Sequence, residues 1–307
     1  MSTSHQIAPP RPVLPEEAPA RLRRAGAGAR RLVGLLFVTP FVLVMVAFLV
    51  IPLTYSLWLS LHRTTLLQGE YFSGLENYVR AFTDPEFLTG VRRVALFGLV
   101  QIPVMLGLAL VGALILDVVA GRLARAFRLT LFMPYAVPAV VGTLMWGFIY
   151  SPSFGVVRGV DLFSDNWIML ALGNIVTWQW TGYNMIVLYA ALQGLPRDVY
   201  EAAAVDGADQ WRIAWRVKVP MIRSALVLTT VFAIIGTLQF FTEVQTLRPI
   251  ASKAISAGFT PNLYAYNMAF QYSEFEYSAA ISFALGAVVF VGSYVFLFVT
   301  RKKGGTR

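Results

Sequence analysis

Residues 195–220 read Leu195-Pro196-Arg197-Asp198-Val199-Tyr200-Glu201-Ala202-Ala203-Ala204-Val205-Asp206-Gly207-Ala208-Asp209-Gln210-Trp211-Arg212-Ile213-Ala214-Trp215-Arg216-Val217-Lys218-Val219-Pro220. The pattern predicts two short helices around a turn. Pro196 suits a helix start, because its fixed φ is already helical and its missing N–H is not needed there. Asp198 and Glu201 put negative charge near the first turn, where the helix dipole favours it. Ala202, Ala203 and Ala204 are strong helix formers whose small side chains let another surface approach closely. Asp206-Gly207 supplies the break, since glycine takes positive φ at little cost. Trp211 and Trp215 lie four residues apart and share one face of the second helix. Pro220 closes the unit.

Outward from this polar stretch the chain changes character. Six long runs lack Asp, Glu, Lys and Arg: Leu32–His62, Val94–Leu116, Leu129–Val157, Asn166–Pro196, Ser224–Thr242 and Tyr277–Thr300. Each can hold one membrane helix of roughly 20 apolar residues, and none can hold two. Composition agrees. Of 307 residues 57% are hydrophobic and 13% charged, about half the charged share of a soluble domain. Mean hydropathy is +0.64. These values exclude a water-soluble globule and a disordered chain. A transmembrane barrel would show short alternating segments instead. The predicted fold is therefore an all-α integral membrane domain of six transmembrane helices over 32–303. A basic, proline-rich tail at 1–31, expected to be disordered, precedes it.

Orientation follows from Lys and Arg. With both termini cytoplasmic, the inside segments 1–31, 117–128, 197–223 and 301–307 hold 18 basic residues, against 7 in the outside segments 63–93, 158–165 and 243–276. This asymmetry predicts an N-in, C-in topology and puts residues 197–220 in the cytoplasm. It also accounts for the net charge of +9, so no nucleic-acid partner is expected. The outer segment 63–93 interleaves Tyr71, Phe72, Tyr78, Phe82 and Phe87 with charges, as an interfacial amphipathic helix in contact with membrane lipid would. Both long outer segments, 63–93 and 243–276, suit contact with an extracytoplasmic partner, and equally suit packing on helix ends.

There are no cysteines and only two histidines, His5 and His62. No thiolate metal site, Cys nucleophile or disulfide framework is possible, and no catalytic or metal-ligating set is expected. No Asp, Glu, Lys or Arg lies near the centre of any of the six runs, which argues against a proton relay or voltage sensor. A G-x-x-x-x-G-K-[ST] loop is also missing, so uphill transport would draw its energy from another chain. The runs carry neutral polar and aromatic groups instead. The third contains Met133-Pro134-Tyr135-Ala136-Val137-Pro138-Ala139. Its two prolines remove backbone donors, and freed carbonyls are tolerated only when buried in protein or lining a wet cavity. The fourth contains Trp178-Gln179-Trp180-Thr181-Gly182-Tyr183-Asn184, and the fifth Thr237, Gln239, Phe240 and Phe241. Aromatic faces beside amides and hydroxyls suit a neutral polyhydroxylated ligand. They equally suit an interfacial aromatic belt with hydrogen bonds between helices.

Residues 195–220 resemble the EAA loop of ATP-binding-cassette importer permeases. The family pattern is EAA, three residues, Gly, nine residues, then I-x-L-P. Here Glu201-Ala202-Ala203 is followed by three residues, Gly207, nine residues and Val217-Lys218-Val219-Pro220. The resemblance extends to Leu129–Gly155, with its PYAVP core and Ser151-Pro152-Ser153-Phe154-Gly155, and to Trp178–Pro196. Thr39-Pro40, Ile51-Pro52, Tyr55-Ser56-Leu57 and Phe72–Phe82 are similar to the maltose and glycerol-3-phosphate permease branch.

The resemblance implies a type I importer permease fold. It implies coupling to an ATPase through Glu201, Ala202, Ala203, Asp206 and Gly207. It also implies a solute at mid-membrane against Tyr135, Ala139, Gln179, Trp180, Tyr183, Ala233 and Thr237. Trp180 departs from the maltose permease, which has a small residue at the matching place. The implied partners are two ATP-binding subunits holding ATP and Mg, a second similar permease chain and an extracytoplasmic solute-binding protein. No cofactor would be bound by this chain, the solute would be a sugar, and the location would be a bacterial cytoplasmic membrane. Three alternatives stand beside this. One is a glycerol phosphodiester or phosphate-ester solute, met by Arg158 or Arg248. Another is a membrane-embedded transferase using Glu243, Glu274 or Glu276. The third is a secondary transporter.

Overall fold

The computed structural model describes residues 34–302 apart from 66, 68, 120, 153, 154, 157 and 158. The predicted tail at 1–31, Ser153, Phe154, Arg158 and Lys303 lie outside the described residues. The chain divides into two units, Met1–Tyr55 and Ser56–Arg307. The described part of the first unit is helical and belongs to α1 (Gly34–Ser60), whose last turns fall in the second. A π turn at Val46–Val50 is closed by the Ile51 N–H on the Val46 carbonyl, and Pro52 follows at once. Proline brings no N–H and pushes its ring toward the preceding turn, and the wider turn gives that ring room.

The second unit continues with a hairpin, β1 (His62–Thr65) against β2 (Gly69–Phe72), in antiparallel register from His62↔Phe72 to Thr65↔Gly69. The amphipathic helix α2 (Glu76–Thr83) leads into α3 (Pro85–Val118). Next come α4 (Gly121–Ala136) and α5 (Ala139–Tyr150), their axes bent by 97°. Helix α6 (Ile168–Gln193) follows, then the short α7 (Arg197–Val205), α8 (Gln210–Ile213) and α9 (Val219–Met221). The remainder is α10 (Arg223–Leu238), α11 (Thr242–Leu247), α12 (Pro261–Phe270) and α13 (Phe275–Lys302).

By length and composition α1, α3, α10 with α11, and α13 can each cross a membrane, and the bent pair α4–α5 makes a fifth crossing if it is one span. Helix α6 is long enough at 26 residues, about 39 Å at the α-helical rise. The polar stretch Thr177–Asn184 interrupts its apolar run. That polarity is tolerated because α6 faces protein: Leu172, Gly173, Ile175, Gln179, Gly182, Asn184, Met185 and Leu188 are all buried. A helix sheltered by others need not be apolar all round.

Two apolar clusters share α6 as their spine. Toward its start, Leu172 and Ile175 pack with Phe97 of α3, Tyr150 of α5 and Val244 and Leu247 of α11. Toward its end, Met185, Leu188 and Leu192 pack with Leu110, Ala113 and Leu116 of α3. Small residues permit this closeness. A Cβ at Gly182 would overlap the Leu131 carbonyl oxygen of α4, and one at Gly112 would come 2.9 Å from the Met185 sulfur.

Polar groups fasten both ends of α3. At its start Asp84 Oδ1 accepts the Glu86 N–H at 2.9 Å, while Oδ2 accepts the hydroxyls of Tyr264 at 2.6 Å and Tyr277 at 2.7 Å. Arg80 donates to Glu274 at 2.6 Å and stacks on the Tyr277 ring at 3.7 Å. Burial alone would raise the Asp84 pKa, but the two hydroxyls and the two backbone donors outweigh it and hold the carboxyl below its ordinary value. At the far end Lys218 Nζ meets Asp117 Oδ2 at 2.5 Å, with only 10% and 11% of the two side chains exposed. Gln193 donates to the other Asp117 oxygen at 2.9 Å, and the Lys218 ammonium lies 4.7 Å from the centre of the Tyr200 ring.

Two expectations follow. A folded-state pKa below the unfolded one gives stability that is complete above the unfolded value, ~3.9 for Asp, and lost as pH falls through the lower native value. The melting temperature of the detergent-solubilised chain should therefore fall between about pH 5 and pH 3, and Asp84→Asn should flatten that part of the profile. An unchanged slope would show that Asp84 does not carry it. Breaking a buried ion pair strands a charge, at about 3–5 kcal/mol. Lys218→Met and Asp117→Leu should each lower the melting temperature strongly, and the double variant should recover most of the loss. Simple additivity of the two losses would remove the coupling.

Candidate functional site

The bend between α4 and α5 is built by Pro134 and Pro138. The Val137 N–H reaches only the Pro134 carbonyl, at 3.2 Å, and α5 restarts with the Gly142 N–H on the Pro138 carbonyl at 3.0 Å. The Val137 carbonyl freed by the break accepts from Gln179 Nε2 of α6 at 3.2 Å. A second interruption, at Gln239–Phe241, separates α10 from α11. Irregular backbone at such depth is stable only where protein or a cavity satisfies it, and a cavity of about 370 Å³ lies beside both breaks.

Its walls bring together five of the seven solute residues expected from the sequence: Ala139 of α5, Trp180 and Tyr183 of α6, and Ala233 and Thr237 of α10. Tyr135 stands behind them, stacked on Tyr183 with ring centres 4.8 Å apart and edge-on to Trp180 at 5.4 Å. Gln179 is elsewhere: it is buried and spent on the Val137 carbonyl. Phe97 and Phe240 form another wall, stacked 5.1 Å apart at 7°. Three larger clefts among the described residues, of about 650, 780 and 500 Å³, contain none of Tyr135, Trp180 and Tyr183.

Of the wall residues outside the expected set, Asn184, Gln239 and Glu243 bring amides and a carboxylate. Asn184, one helical turn beyond Trp180, lines the cavity and donates to the Trp180 carbonyl at 3.0 Å. That four-residue spacing was a usable signal. Gln239 belongs to the α10–α11 break. Among the described residues Glu243, at the start of α11, is the only carboxylate of the wall, and no Lys or Arg lines it. Cutting the runs at every charge had placed Glu243 just outside the fifth. The other acids considered for catalysis are not in the wall: Glu274 pairs with Arg80, and Glu276 accepts from Thr64 at 2.6 Å. Arg248 donates to Asn267 at 3.0 Å.

The 195–220 stretch is two short helices around a turn. Helix α7 ends in a glycine cap: Gly207 has φ +83°, its N–H bonds the Ala204 carbonyl at 3.1 Å, and the Ala208 N–H bonds the Ala203 carbonyl at 3.0 Å. Nothing lies within 4 Å of a Cβ built at Gly207, so the requirement is for positive φ and not for space. Asp209 caps α8 by accepting the Arg212 N–H at 2.8 Å. Glu201, Ala202, Asp206 and Gly207 are exposed and Ala203 half-buried. Trp211 and Trp215 pair at 5.5 Å on an exposed face. Pro220 does not end the unit. A π turn at Ala214–Lys218 carries the helix past it toward α10, as the turn before Pro52 does in α1.

Helix α6 enters this loop and α10 leaves it. Ten residues separate Tyr183 from Gln193 at the end of α6, and ten separate Arg223 from Ala233 on α10. The cavity thus lies about 15 Å along each helix from the loop, half the thickness of a hydrocarbon core.

Comparison with known proteins places this architecture. Residues 105–302 match the family described as binding-protein-dependent transport system inner membrane component. The lactose transport system permease protein LacF of Rhizobium radiobacter is 32% identical over 88% of this chain and 94% of its own. The diacetylchitobiose uptake system permease protein NgcF of Streptomyces coelicolor is 29% identical over 85% and 80%. The arabinooligosaccharides transport system permease protein AraP of Bacillus subtilis is 28% identical over 85% and 86%. A crystal structure of a bacterial ABC transporter that imports the acidic polysaccharide alginate shares the fold, with a TM-score of 0.76 at 19% identity over 92% and 99%. Transport permeases, not enzymes, are its relatives, and the chain belongs to the binding-protein-dependent transport system inner membrane component family of ABC importers.

Proposed function

We propose that this chain is the transmembrane permease subunit of an ATP-driven, binding-protein-dependent carbohydrate importer in a bacterial cytoplasmic membrane. Relatives named for lactose, diacetylchitobiose and arabinooligosaccharides support the solute class. So does a cavity walled by aromatic faces and amides, which suit the C–H faces and hydroxyls of a sugar. The observation that carries the reading is connectivity. The exposed loop is the covalent link between α6 and α10, and both helices line the cavity. A displacement at the ends of the loop therefore reaches two cavity walls along continuous stretches of helix, 183–193 of α6 and 223–233 of α10.

In this reading six segments cross the membrane, N-in and C-in, with α6 as the sheltered sixth. The ATP-binding subunits hold ATP and Mg, and this chain contributes no catalytic group. They dock on Glu201–Gly207, and their closure on ATP moves the loop. A second permease chain completes the cavity and an extracytoplasmic binding protein delivers the solute. Transport is alternating access by rigid-body rocking about a site near the midplane.

Purification of the tagged chain from gently solubilised membranes should bring down an ATPase and a second permease; recovery of the folded chain alone in several detergents would sink the importer reading. Gly207→Pro removes both the positive φ and the N–H that cap α7. It should leave the chain inserted but lower solute uptake at least about tenfold, whereas Gly207→Asn, which tolerates that φ, should retain most of it. Normal uptake by Gly207→Pro would remove the loop from coupling. Tyr135→Ala and Trp180→Ala should alter the range of sugars taken up while the complex still assembles, and an unaltered range would take the aromatic cluster out of the pathway.

A further inference from the structure

The cavity holds one charge that neither the loop nor the aromatic cluster explains. Glu243 is 7% exposed and lies in the cavity wall. Among the described residues no side chain bonds its carboxylate, whose one internal partner is its own backbone N–H. The nearest arginine in sequence, Arg248, is committed to Asn267. An unpaired buried carboxylate is expensive: it stays ionised only if donors in the site complete it, and otherwise takes up a proton. A carboxylate accepts and never donates, with room for two or more hydroxyl hydrogens. Around it stand ring faces of Trp180, Tyr183 and Phe240 and the polar groups of Asn184, Thr237 and Gln239.

We propose that Glu243 is the charge filter of the cavity: its carboxylate accepts hydroxyl hydrogens from a neutral polyhydroxylated solute and turns anionic solutes away. The proposal rests on the cavity being the solute pathway and adds the solute's charge class. It sets this chain against phosphate esters and acidic sugars, since among the described residues no cation lines the wall to meet them. At close range in a partly desolvated site, like charges repel strongly.

The chain has no cysteine, so a thiol placed in the wall reports on that place alone. The full-length Thr237→Cys protein, in membranes, is treated with a cationic trimethylammonium-ethyl and an anionic sulfonato-ethyl methanethiosulfonate. With Glu243 in place the cationic reagent should react at least about tenfold faster than its intrinsic advantage over the anionic one predicts. Glu243→Gln should abolish that excess and Glu243→Asp should keep it. Should Glu243→Gln fail to insert, Glu243→Ser supplies the same neutral comparison. An excess that survives neutral substitution overturns the proposal. Lactose, a neutral disaccharide, should slow the labelling and galacturonate should not; equal protection by galacturonate also overturns it. The labelling needs no ATPase, so failure of the importer reading in the purification leaves this test intact. A thiol at 237 inert to both reagents would instead remove the cavity, and both proposals with it.

Discussion

The helical body depends on the approach of α6 to α4 at Gly182. With no side chain there, the two backbones touch, and any Cβ would strike the Leu131 carbonyl. Trp180 and Tyr183 flank that point on α6, and Tyr135 lies one turn beyond Leu131 on α4. The contact therefore sets the stacking distances of 4.8 and 5.4 Å in the aromatic cluster. Farther along, Gly112 of α3 receives Met185 and Gly173 of α6 receives Gln101. Helices in an apolar medium gain nothing by hiding apolar surface from one another, so close packing and hydrogen bonds must hold them. Here the glycines supply the first and the amides supply the second.

Several polar groups within the helical body have a local reason. Gln101 donates to Thr177 at 2.6 Å across α3 and α6, and Gln179 meets the carbonyl freed by the proline break. Asn184 bonds back to its own helix. The amides of α6 thus divide between structure and cavity. Gln179 belongs to the bend and Asn184 to the wall, although five residues separate them in sequence. A helix turns 100° per residue, so neighbours on one polar stretch face different surroundings.

Much of this could be read from the residues. The charge-free runs become helices or bent helix pairs, and Asp206-Gly207 breaks the loop where positive φ is required. Tyr135, Trp180, Tyr183, Ala233 and Thr237 converge although they come from three runs. What stayed hidden was pairing at a distance. Nothing local in Lys218 announces Asp117, 101 residues earlier; each looked like one charge among many at a helix end. Nothing in Gln179 distinguishes a partner of Val137 from a partner of solute. Glycine in an apolar helix is common, so Gly182 carried no mark of its contact. The polar centre of α6 misleads in the other direction, because a hydropathy sum weighs residues as if lipid surrounded them all.

The Lys218–Asp117 pair has a consequence for biosynthesis. The ribosome delivers Asp117 first and makes about a hundred further residues before Lys218 emerges. During that interval the aspartate has no lysine and must remain hydrated, because an isolated carboxylate will not enter an apolar interior. The end of α3 is thereby kept at the water boundary while α4, α5 and α6 are still being threaded into place. Only when translation has passed the 195–220 loop can α3 be clamped to it. The clamp at this end of α3 and the completion of the exposed 195–220 loop are then one event, so a nascent chain that stops short of the loop lacks that latch.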